Sequence, residues 1–90
     1  MLAVSADGAW LVSTPHLAPT FTGSGDITSA AFLATYLDLG SVPEALAKTA
    51  AIVYAVLEIT AESGHRELRL VKAQDAIVHP TRSFAVRQIR

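Results

Sequence analysis

From Ile27 to Leu37 the chain is apolar on nearly every face of the helix that its spacing predicts, and a helix of that kind needs cover on all sides. Ile27, Ala30, Ala31, Ala34 and Leu37 mark one face, while Phe32, Leu33 and Tyr36 make other faces apolar too. A chain of 90 residues holds little that could supply the cover, because a short chain buries only part of the surface its unfolded form exposes. Composition points the same way: 51% of the residues are apolar and only 17% are charged, against about 25% charged in ordinary globular proteins. A small domain standing alone has much surface to cover and should be more polar than average. The excess predicts that some apolar faces meet a partner or a further part of the same polypeptide.

Around that helix the pattern is short and ordered. Residues 2–14 read as a β-hairpin: Leu2 and Val4 alternate with smaller or polar neighbours, Asp7-Gly8 offers a favoured two-residue turn, and Trp10, Leu11 and Val12 resume an apolar run. Pro15 and Pro19 set an extended connection after it. Two strands alone are marginal in water, so the hairpin must lie against something larger. Gly23-Ser24-Gly25-Asp26 opens the first helix at about residues 25–38, which Gly40 closes as a left-handed cap. Ser41-Val42-Pro43-Glu44 is a capping-box pattern that starts a second helix running to about Ser63. Its inner stripe is Val42, Leu46, Ala50, Val53 and Leu57, Glu44 and Lys48 are spaced as an ion pair, and Gly64 ends it. A shorter helix is expected over about residues 69–78, with Leu70, Val71, Gln74, Ile77 and Val78 on one side, then Pro80 and a last strand within 84–89. The expected class is α/β, seen here as a mostly helical piece: one partial domain spanning residues 1–90 that closes a sheet whose central strands lie upstream.

Several function classes drop out. A net charge of −1 creates no field to draw nucleic acid or an anionic membrane. There is no cysteine, which removes disulfides and thiolate metal sites and fits a cytoplasmic location. The first residues show no secretory pattern, and every apolar stretch is interrupted well before the roughly 20 residues a membrane span requires. His16, His65 and His79 are too scattered to suggest a metal cluster, and Arg82, Arg87 and Arg90 are too sparse for a nucleic-acid patch.

The segment that carries chemistry is Phe21-Thr22-Gly23-Ser24-Gly25-Asp26-Ile27-Thr28-Ser29. Two glycines around a serine at a helix start let a ligand come close to the backbone. The first helical N–H groups lack internal acceptors, and the macrodipole adds partial positive charge there, so such an end suits an anion, phosphate above all. Asp26 would repel that anion unless it acted on a nearby proton, as a base does when a hydroxyl attacks a phosphoryl group. The plainer reading makes Asp26 a first-turn acid or cap, and four residues alone favour it.

The wider stretch resembles the second signature of the ribokinase-like kinases, whose Gly-x-Gly-Asp turn forms an anion hole and supplies the base. Asp7-Gly8-Ala9-Trp10, Ser41-Val42-Pro43-Glu44-Ala45-Leu46, Glu67-Leu68-Arg69-Leu70-Val71, Ala73-Gln74-Asp75-Ala76-Ile77 and Pro80 narrow the likeness to the C-terminal part of bacterial pyridoxal kinases, across nearly all 90 residues. What the resemblance implies is a three-layer α/β sandwich in which Asp26 deprotonates the 5′-hydroxymethyl group of pyridoxal for attack on the γ-phosphate of ATP. It also implies that Gly23, Ser24 and Gly25 form the anion hole, with Thr22 beside it. ATP and Mg²⁺ are the implied cofactors, most of their contacts falling upstream. The implied partners are pyridoxal, the upstream part of the same domain and a second copy in a full-length homodimer. The superfamily's Asp-Thr before the turn is Thr20-Phe21 here, a departure that leaves Thr20 without an assigned role. Two rival readings stand: another kinase of the superfamily, acting on a hydroxymethylpyrimidine or a sugar, and a non-catalytic helical module with Asp26 as a cap. Trp10, Thr28, Ser29 and the small side chains of residues 50–54 each have a packing explanation beside any contact with ligand.

Overall fold

A computed structural model describes residues 1–15, 24–62, 64, 70, 73–80 and 82–90, with the backbone alone at Ser24. The elements are β1 (Leu2–Ser5), β2 (Gly8–Val12), α1 (Ser24–Leu39), α2 (Val42–Glu62), α3 (Gln74–Val78) and β3 (Val86–Gln88). The strands form one antiparallel sheet in the order β1-β2-β3. The expected last strand is therefore present, and it pairs with the hairpin at the chain's other end.

The hairpin turn sits one residue earlier than the Asp-Gly pattern predicts. Ser5 pairs with Gly8, so Ala6 and Asp7 make the turn, with the Asp7 N–H donating to Ser5 Oγ at 3.2 Å. Gly8 is needed inside the strand for a different reason. A β-carbon there would press on the Arg90 carbonyl oxygen and lie 2.8 Å from Gln88 Nε2, so the close approach of the C-terminal strand selects glycine.

Side chains alternate across the sheet. Ala3, Trp10 and Val86 share the α2-facing side with Val12 and pack against the cluster of Val12, Leu46 and Ala50. Ala50 is fully buried, and its small side chain lets the helix approach the strands. Phe84 closes the same side, with its ring 5.3 Å from that of Tyr54 in an edge-to-face arrangement. Arg82 lies over the outer side of the Tyr54 ring and pairs with Glu58 at 2.9 Å.

The second helix is flanked on one side by the sheet and on the other by α1. Hence the stripe read from the sequence is too narrow: Ala45, Leu46, every residue from 49 to 56, and Thr60 are buried. Leu46, Ala50 and Val53 of the predicted stripe are among them, while Val42 and Leu57 are half-buried. Ser41 caps the helix as expected, accepting the Glu44 N–H at 3.4 Å. Glu44 and Lys48 form no ion pair; among the described residues the pair is Arg82 with Glu58. Gly40 and Gly64 both adopt positive φ, 69° and 75°, and end their helices as predicted.

The first helix departs from expectation. Only one side of α1 is covered, and Thr35 alone among its described side chains is buried. Thr35 Oγ1 donates to Ala31 O at 2.7 Å and meets Thr49 Oγ1 at 3.1 Å, which makes a polar contact inside the α1–α2 seam. Leu33 and Leu37 remain 61% and 77% exposed. The cause is plain: α2 is the element lying against this helix, and the three strands pack on α2 instead. The short helix is also smaller than expected, covering Gln74–Val78, with Val78 exposed. Val71 lies outside the described residues.

Candidate functional site

Asp26 is the third residue of α1 and lies in its first turn. Residues at that level still have backbone N–H groups without helical acceptors. The Asp26 side chain is exposed. Among the described residues it takes no backbone hydrogen bond and no ion pair, so the capping role that its residue type suggests has no geometric support. Gly25 has nothing within 4 Å of where its β-carbon would stand. Its φ is not positive, so among the described residues neither backbone conformation nor crowding requires glycine there. Thr22 and Gly23 lie outside the described residues, as does the Ser24 side chain.

One and two residues beyond Ile27, Thr28 and Ser29 turn toward a groove between α1 and β1. The groove measures about 690 Å³ and is walled by Met1 and β1, by Phe32, Leu33 and Tyr36 of α1, and by Val42, Leu46 and Thr49 of α2. Sequence reasoning treated β1 only as half of a hairpin. That it shares a groove with the first turn of α1 follows from tertiary packing, for which local pattern carries no signal. Residues 50–54 are buried between the sheet and α1, so packing accounts for their small side chains. Trp10 is likewise a core-facing residue.

Among the described residues no three His, Cys, Asp or Glu side chains converge to hold a metal ion. Mg²⁺ is typically held by one or two carboxylates together with waters and substrate phosphates, and Asp26 alone does not make such a site. His79 is exposed, and His16 and His65 lie outside the described residues. No helix is long and apolar enough to cross a membrane, among the described residues.

No family model matches the chain. The fold is shared with the pyridoxal kinase of Trypanosoma brucei, with a TM-score of 0.78 and 26% identity over 90% of this chain and 28% of that one. The pyridoxal kinase of Leishmania donovani, solved in complex with ADP, gives a TM-score of 0.78 at 23% identity over 91% of this chain and 28% of that one. The hairpin, two long helices and returning strand thus share the fold of part of a ribokinase-like α/β domain, consistent with its C-terminal portion. Sequence narrows the class further. The chain is 48% identical to the pyridoxal kinase PdxY of Leifsonia xyli over 89 residues, which are 99% of this chain and 31% of that protein. Its similarity to pyridoxal kinases thus runs through nearly its whole length, and it spans about a third of the length of the curated relatives it matches.

Proposed function

We propose that this chain supplies the anion-binding turn and the catalytic base of an ATP-dependent pyridoxal kinase, as part of a domain completed by upstream residues. What carries the reading is Asp26: a carboxylate in the open first turn of α1, free of any capping bond among the described residues, one residue after a glycine with empty space at its β-position. The rival reading of a helical module with Asp26 as a cap lacks the support of a capping bond among the described residues, and Asp26 as a first-turn acid remains its other form. The names of the relatives favour pyridoxal over a hydroxymethylpyrimidine or a sugar as acceptor.

In the proposed step, Asp26 accepts the proton of the 5′-hydroxymethyl group as its oxygen attacks the γ-phosphorus of ATP. The new O–P bond forms while the bond from that phosphorus to the β,γ-bridging oxygen breaks, and ADP leaves with the electron pair. Backbone N–H groups of Gly23, Ser24 and Gly25, aided by the α1 dipole, take up charge on the transferred group, with Thr22 preceding them in the sequence. Mg²⁺ would shield the phosphates from residues upstream, and Asp26 and the turn act without reference to its position. A homodimer of the complete enzyme and a cytoplasmic location belong to the same reading, checked by light scattering and by cell fractionation.

The test is the chain joined to the upstream part of a PdxY kinase, wild type against Asp26→Asn, assayed for pyridoxal 5′-phosphate. Loss of a general base should lower kcat by roughly 10²–10⁴-fold with little change in KM. A variant as active as wild type would remove Asp26 from the mechanism.

A further inference from the structure

Ser29 is a helical residue that the fold does not explain. It stands in the second turn of α1, where its side chain is exposed, so it fills no part of the core. Its hydroxyl makes no hydrogen bond to a described residue, not even to the Gly25 carbonyl oxygen four residues back, which a helical serine often takes. Serine is also a poorer helix former than alanine, because its hydroxyl competes for backbone groups. Ala30 and Ala31 follow directly, so alanine suits this part of the helix. Thr28 differs: it is half-buried and already engaged, and local structure accounts for it.

The neighbour that gives Ser29 a use is Asp26. Three positions separate them, a spacing that puts both side chains on one face of the helix with β-carbons about 5–6 Å apart. A hydroxyl and a carboxylate at that separation can close to hydrogen-bond distance. Asp26 needs such a neighbour. It is exposed and caps nothing among the described residues, so its carboxylate is free to rotate. A general base must instead hold one oxygen within reach of the hydroxyl that it deprotonates. Of the positions three and four beyond Asp26, Ala30 has no polar side-chain atom, which leaves Ser29.

We propose that Ser29 is a positioning residue for the base: its Oγ–H donates to one Asp26 carboxylate oxygen and leaves the other aimed at the 5′-hydroxymethyl group. Ser29 keeps its own proton throughout, because the substrate proton ends on the second Asp26 oxygen. The inference rests on Asp26 being the base, and it adds that this chain, not the upstream residues, sets the orientation of that base. Ser29 borders the groove beside β1, whereas Asp26 does not, so a contact with a ligand in the groove is the competing use of the hydroxyl. The two uses differ in which kinetic constant they move.

The experiment uses the chain joined to the upstream part of a PdxY kinase. In Ser29→Ala, kcat should fall at least about tenfold, as expected for losing a hydrogen bond to a charged group, with KM changed less than about twofold. Ser29→Thr keeps the hydroxyl and should hold kcat within about threefold of wild type. In the Asp26→Asn background, Ser29→Ala should cost nothing more, because no base is left to orient. The melting temperature should not fall in Ser29→Ala, since alanine is the better helix former. Full activity of Ser29→Ala beside a crippled Asp26→Asn overturns the inference and leaves the kinase reading standing. A loss confined to KM overturns it in favour of a groove ligand. An equal loss in both backgrounds, or one that Ser29→Thr shares, overturns it in favour of packing. An Asp26→Asn variant as active as wild type removes both readings together.

Discussion

A β-carbon on Gly8 would meet backbone and side chain of the C-terminal strand, whereas one on Gly25 would meet open space. The two glycines therefore answer to different demands, and their alanine variants should separate them. Gly8→Ala forces the C-terminal strand outward and should lower stability by about 1–3 kcal/mol, the usual cost of overpacking, read by urea unfolding. An unchanged midpoint would mean that the strand end can move aside freely. Gly25→Ala should leave the melting temperature unlowered, since alanine is favoured over glycine in helices by up to about 1 kcal/mol. In the joined enzyme the same variant should reduce phosphoryl transfer, because the added methyl occupies the space proposed for phosphate. Full activity would show that the turn holds no anion. The Gly-x-Gly-Asp pattern was readable in the sequence as an anion-friendly helix start. The reason for Gly8 was not, because its constraint comes from Arg90 at the far end of the chain.

Between elements, the seam of α1 and α2 is held by apolar packing with one buried polar contact, Thr35 to Thr49. Thr49→Val keeps the shape and removes one hydroxyl. Thr35 retains Ala31 O as acceptor, at 2.7 Å, so nothing buried is orphaned and the loss should be about 0.5–1.5 kcal/mol, with an unchanged denaturant slope. A loss well above that range would mean that the hydroxyl pair aligns the helices rather than merely bridging them. Local pattern located the hairpin, both long helices, their glycine ends and the last strand, because each depends on near neighbours: alternation, capping and left-handed φ. It under-read α2, whose second buried side exists only because the sheet and α1 clasp it from opposite directions. It over-read the cover on α1 for the complementary reason. All-round apolarity in Ile27–Leu37 reports what that helix is suited to meet, and Leu33 and Leu37 meet nothing among the described residues.

At the scale of the whole molecule, the apolar surplus in the composition and the exposed residues of β1 and α1 are the same fact. Leu2, Val4, Leu33 and Leu37 lie bare on two elements that border one groove. Catalysis by positioning needs the groups that position, so the purified 90-residue chain should convert no pyridoxal with ATP. Turnover by that chain, lost in Asp26→Asn, would show that the site is complete without a partner. The sheet also fixes how the molecule would bear a load. Met1 is bonded to Val12 at one end of β2, and Arg90 to Ala9 near the other. Tension applied through the two termini would run along the strands and strain the ladders in shear, all their bonds together. The fold should yield abruptly and as a unit in a pulling experiment, although much of its surface is open.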